Sequence, residues 1–102
     1  DFRDGRLTQC TDDLSDPARF AAHRALLAGA DFLFLDAAKD GVMEQRLLEL
    51  LQTVTFRSAP LLVFDDIRDW HMLRVWRQIR FPKLDLTSFG HWTGTGLVEW
   101  GA

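Results

Sequence analysis

Three aspartates stand where an α/β protein places its chemistry. Asp36 closes the apolar run Asp31-Phe-Leu-Phe-Leu-Asp36, and Asp65 and Asp66 close a second run, Ala59-Pro-Leu-Leu-Val-Phe64. Short continuous apolar runs are the mark of strands buried on both faces of a parallel sheet, and ligands of open α/β sheets gather beyond the carboxyl ends of such strands. If the two strands are neighbours, about 4.8 Å separates their backbones, so the three carboxylates can converge on one point. Crowded like charges repel unless a cation neutralises them, and Mg²⁺ or another hard divalent ion takes oxygen ligands of this kind. Asp36, Asp65 and Asp66 are therefore candidate metal ligands. The competing use of each is to cap the helix that follows.

Lys39, one of two lysines in the chain, follows Asp36 by three residues. An amine beside a metal-bound hydroxyl is a candidate general base, and the plain alternative is a solvated loop lysine. His91, next to Trp92, is a second candidate base. His71 reads as a residue on a helix face, and His23 has no chemical context in the sequence. Cys10 has no nearby His in sequence and reads as a buried small hydrophobe, not a nucleophile.

The elements that must position these residues follow from pattern. Residues 6–10 alternate weakly and read as a short strand running into a polar loop. Ser15 or Asp16 can cap a helix that accepts Pro17 in its first turn and stops at Gly29. The segment 30–35 reads as a strand. From Val42, the positions Met43, Leu47, Leu50, Leu51 and Val54 recur at helical spacing, with Glu44 and Glu49 between them. Residues 59–64 form a further strand, residues 69–80 a third helix closed by Pro82, and residues 84–89 and 96–100 an antiparallel hairpin around a Gly-rich loop. The order implies an α/β fold of right-handed βαβ units, with a mostly parallel sheet and a terminal antiparallel hairpin.

These motifs resemble a family. Asp31-Phe-Leu-Phe-Leu-Asp36-Ala-Ala-Lys39-Asp40, followed by Leu61-Leu-Val-Phe-Asp65-Asp66, looks like the fourth and fifth strands of class I S-adenosylmethionine-dependent methyltransferases. Among these it resembles the cation-dependent small-molecule O-methyltransferases. Asp36, Lys39 and Asp65 match the catechol type directly. Asp66 stands where that type has Asn, whereas sugar O-methyltransferases carry an Asp-Asp pair. The resemblance implies Asp36, Asp65 and Asp66 as metal ligands, with Lys39 and His91 as catalytic residues. It implies Asp12 or Asp13 on the adenine side of S-adenosylmethionine, with Asp36 also beside the cofactor, and it makes the last two strands the antiparallel pair of that fold. The expected activity is methyl transfer to a hydroxyl of a small molecule, aromatic or sugar, in a pocket walled by Arg68, Trp70, His71, His91 and Trp92.

The Gly-x-Gly-x-Gly loop and the strand with a ribose-binding acidic residue are absent from this sequence. The chain accordingly reads as a single partial domain over 1–102, the C-terminal half of a Rossmann-like methyltransferase sheet, with Asp1 as a cut edge, and it is expected to bind the cofactor poorly alone. Losing the central strands leaves strand 32–35 at an edge. Either residues 6–10 move in beside it, or another chain supplies a strand, as in a homodimer; a bare, solvent-facing edge at 32–35 would refute this expectation.

Composition bounds the remaining classes. The 102 residues carry a net charge of −3, with 47% hydrophobic and 26% charged, which gives no reason to expect nucleic acid as a partner. The apolar runs are too short for a membrane span, and a lone cysteine fits a reduced, cytoplasmic setting. The alternative function is a non-catalytic association module that keeps the half-fold. A receiver-like Mg²⁺ domain fits less well, because the lone Asp precedes the Asp pair and the tail is antiparallel.

Overall fold

The computed structural model describes residues 5–69, 71–87 and 92–101. Helix α1 spans Pro17–Ala28, with Pro17 in its first turn and Gly29 at its end. Strand β1 (Phe32–Leu35), helix α2 (Val42–Leu51), strand β2 (Leu61–Asp65) and helix α3 (Met72–Gln78) follow, and β3 (Lys83–Asp85) and β4 (Thr95–Glu99) end the chain. The fold is α/β.

The four strands form one sheet in the order β1-β2-β4-β3. Strands β1 and β2 are parallel neighbours, as the positions of the three aspartates require, in the register Phe32↔Leu61 to Leu35↔Phe64. Strand β4 runs antiparallel to both β2 and β3. The expectation of a mostly parallel sheet is thus corrected, since one of the three pairings is parallel. The turn through Gly94 sends β4 back between β2 and β3. Residues 6–10, expected as a strand, form none. Their weak alternation gives no apolar face to hold against the sheet, and an extended segment without a ladder partner leaves its backbone groups to water.

The core lies on one side of the sheet. Leu62, Phe64 and Val98 are fully buried, and with Phe20, Leu47, Leu48, Leu51, Ile67, Met72, Val75, Trp76, Ile79 and Trp100 they make one apolar cluster. Leu33 and Leu35 pack against it from β1. Trp76 lies over Gly96, where an added Cβ would come within 2.4 Å of the indole, so a side chain there would displace the ring. Strand residues alternate between faces, which puts Phe32, Phe34, Leu61, Val63, Leu84 and Leu97 on the opposite side. None of these belongs to the core cluster, and Phe32, Phe34 and Leu84 are 57%, 59% and 56% exposed. Strand β2 is buried on both faces at its centre, through Leu62, Val63 and Phe64, whereas β1 meets that expectation on the core face only. Among the described residues nothing pairs with the outer edge of β1, which overturns the idea that residues 6–10 of the same chain pair with it. A strand from another chain is what remains of that expectation.

Candidate metal centre

One step beyond the Leu35↔Phe64 pair, β1 and β2 deliver Asp36 and Asp65 side by side, and Asp66 follows at once. One carboxylate oxygen from each of Asp36, Asp65 and Asp66 lies within 4.8 Å of the others. Asp66 takes a left-handed backbone, φ 57°, a conformation that Asp tolerates better than most residues. Its N–H donates to the Gly94 carbonyl at 2.8 Å, and the Thr93 hydroxyl donates to its Oδ1 at 2.5 Å. The β3–β4 connection thereby fixes the most buried of the three carboxylates.

Lys39 reaches into the middle of the group. Its Nζ lies 2.5 Å from Asp66 Oδ2, 3.0 Å from Asp36 Oδ1 and 3.7 Å from Asp65 Oδ2. The bonds to Asp66 and then Asp36 raise its pKa above the ordinary lysine value, so the side chain is an ammonium here. Its backbone is also left-handed, φ 61°, a conformation that costs a long side chain about 1–2 kcal/mol.

What sustains that conformation is Glu44, which the sequence pattern places on the polar side of α2 and the structure buries almost completely, at 1% exposure. Glu44 Oε2 accepts the Lys39 N–H at 2.7 Å and Oε1 accepts the Gly41 N–H at 3.1 Å. Asp40 Oδ1 accepts from Val42 and Met43 at 2.9 and 3.0 Å. These bonds, Met43 first, lower the Asp40 pKa. Two acids thus satisfy the free amides at the start of α2, where the helix dipole also favours negative charge. Gly41, φ 79°, sits against the His71 backbone, and an added Cβ would come within 2.7 Å of the His71 carbonyl oxygen. The 36–41 loop is therefore locked from both sides. The sequence reading missed this role of Glu44; the signal that could have found it is its place as an acid three residues after Gly41, the capping-box spacing.

The other expected site residues are dispersed. Asp12 and Asp13 sit in the loop before α1, in an open cavity of about 510 Å³ with Thr11, Ser15, Arg19 and Met43. Asp13 Oδ1 accepts from the Ser15 hydroxyl and amide at 2.5 and 2.9 Å, which lowers its pKa. Asp12 Oδ2 lies 2.5 Å from His23 Nε2, so His23 has a partner that its position in the sequence hides. Cys10, expected to be buried, is instead exposed, because residues 6–10 do not join the sheet, and it lines the same cavity as Asp12 and His23. Across the sheet, Arg68 donates to Asp85 Oδ2 at 2.8 and 3.2 Å. His71 is exposed in the turn before α3, and Trp92 is exposed. His91 and Trp70 lie outside the described residues. No family model, curated protein or solved structure matches the chain, and its functional reading rests on this geometry.

Proposed function

We propose that this chain is the C-terminal half of a cation-dependent, S-adenosylmethionine-dependent O-methyltransferase that acts on a hydroxyl of a small molecule, aromatic or sugar. The observation that carries the reading is the convergence of Asp36, Asp65, Asp66 and Lys39 at the carboxyl ends of two neighbouring parallel strands. The antiparallel entry of β4 beside β2 supports it.

The donor set fits a hard divalent ion. Three carboxylates on separate backbone positions offer oxygens at one point, and an ammonium already sits among them as a cation would. In this reading Asp36, Asp65 and Asp66 hold Mg²⁺ or a similar ion, which when bound supplies Lewis acidity toward the substrate hydroxyl. Lys39 Nζ would accept the hydroxyl proton only as the free amine, so it must first leave the carboxylates and give up its own proton to water. His91 is the second proposed base. Asp12 or Asp13 contacts the adenine side of S-adenosylmethionine and Asp36 lies on the cofactor side; the cofactor supplies the methyl group. Alignment of the two reactants carries most of the acceleration. A cytoplasmic location accompanies the reading, in keeping with one exposed thiol, and no described helix is long and apolar enough to cross a membrane.

The second reading, an association module, is favoured by the apolar sheet face that carries Phe32, Phe34 and Leu84. A Mn²⁺ titration by calorimetry separates the two. The enzyme reading expects binding in the wild type that is lost in Asp65→Asn, and the association module expects none that depends on a carboxylate.

A further inference from the structure

We infer that the groove between α2 and the end of α3 is a docking site for an acidic, extended segment of another protein, whose carboxylates meet Arg74 and Arg80 while an apolar side chain enters the groove. The surface lies at the end of the sheet opposite the three aspartates. There the Trp100 N–H donates to the Pro60 carbonyl at 3.0 Å, just before β2 begins, whereas Asp65 is the last residue of β2. The groove holds about 90 Å³, room for one aliphatic side chain. Its floor is apolar and belongs to the core, through Leu48, Ile79 and Trp100. That floor is also fixed, because the Trp100 indole N–H donates to the Leu51 carbonyl at 3.5 Å and the ring packs edge-on against Phe81, 4.7 Å between centroids.

Charge says what covers it. The chain carries a net charge of −3, yet residues 70–84 contain four basic side chains, Arg74, Arg77, Arg80 and Lys83, and no acid. The three arginines are exposed, and no carboxylate among the described residues pairs with them. One cation in the last turn complements the helix dipole, but several repel one another. Burial first, and then the Arg80 charge, push the Lys83 pKa down. An incoming carboxylate relieves that repulsion. Arg80 and Gln78 line the groove, and Arg74 stands one turn before Gln78 on the same face, whereas Arg77 falls on the flank turned away. On the opposite wall Glu49, bonded by Gln45 Nε2 at 3.2 Å, turns carboxylates toward the α3 side. Gln52 and Gln78 bring amides with a donor and an acceptor each, which match a peptide backbone. Amides beside an apolar floor suit a polypeptide, and a phosphate backbone or lipid headgroup makes no use of either.

The test is an NMR titration of the chain, followed at the Trp100 indole N–H, with a blocked six-residue peptide that alternates Glu and Leu and with its Gln–Leu counterpart. The acidic peptide should move the indole signal to saturation and bind about fivefold tighter or more than the neutral one. Arg74→Glu and Arg80→Glu should each weaken it about fivefold or more, and Arg77→Glu, the same charge change on the far flank, by less than about twofold. Equal weakening by all three variants shows a general charge effect and overturns the inference. So does an indole signal that stays fixed at millimolar peptide, an arm that needs no variant to fold. Tighter binding to phosphatidylserine vesicles or to an RNA oligonucleotide, with the same dependence on Arg74 and Arg80, overturns the choice of a protein segment.

Discussion

Asp66 makes two demands on its position, a left-handed backbone and a carboxylate with both oxygens engaged, one by Thr93 and one by Lys39. Asn shares the backbone tolerance but lacks the charge. Asp66→Asn should therefore keep the fold, with a melting temperature within a few degrees of wild type, and weaken Mn²⁺ binding at least tenfold in a calorimetric titration. Asp66→Val should instead destabilise by about 1–3 kcal/mol in urea, because a β-branched residue resists that backbone. Asp85 belongs to the same scale. The Thr87 hydroxyl first, then the Thr87 amide and Arg68, hold its carboxylate below the ordinary range. A group with a depressed folded pKa contributes stability that is present above its unfolded value, about 3.9, and lost as pH falls through the folded one. Urea midpoints measured from pH 6 down to pH 2 should fall below about pH 4, and Asp85→Asn should flatten part of that fall.

At the scale of elements, α2 begins with a buried acid instead of a solvated one. Glu44→Ala leaves the Lys39 and Gly41 amides without their acceptors and should cost about 1–3 kcal/mol in urea, because buried amides lose their partner. Glu44→Gln keeps one acceptor oxygen and should recover part of that loss. The helix itself was legible from Leu47, Leu50 and Leu51, and the strands 32–35 and 61–65 from their unbroken apolar runs. Their adjacency made Asp36, Asp65 and Asp66 legible as a group. The role of Glu44 was masked because an acid between leucines at helical spacing looks like the wet side of an amphipathic helix. Residues 6–10 misled in the opposite direction, since alternation alone makes no strand where no neighbour supplies a ladder. The bonds Thr93 to Asp66 and Arg68 to Asp85 span 27 and 17 residues and depend on where β4 inserts, which no local pattern encodes.

For the whole molecule, the question is what an apolar sheet face does when no described helix covers it. Four strands at about 4.8 Å spacing, three to five residues long at about 3.3 Å each, give a face on the order of 300 Å². A stable interface takes about 800 Å² from each partner, so two copies stacked face to face fall well short. The β1 edge adds backbone pairing sites, but two β1 strands paired antiparallel about their centres would set Asp31 of one opposite Asp36 of the other. Like charges directly opposite each other disfavour that register. Both routes to a symmetric dimer are therefore weak, whereas a partner that lays a strand along β1 and a helix across Phe32, Phe34 and Leu84 at once would cover face and edge together. The chain alone should sediment as a monomer at micromolar concentration and associate weakly as concentration rises toward millimolar. Phe34→Thr with Leu84→Thr, two exposed positions outside the core cluster, should abolish that weak association without lowering the urea midpoint appreciably. A wild-type dimer that persists at nanomolar concentration would show that an interface other than this face holds the copies together.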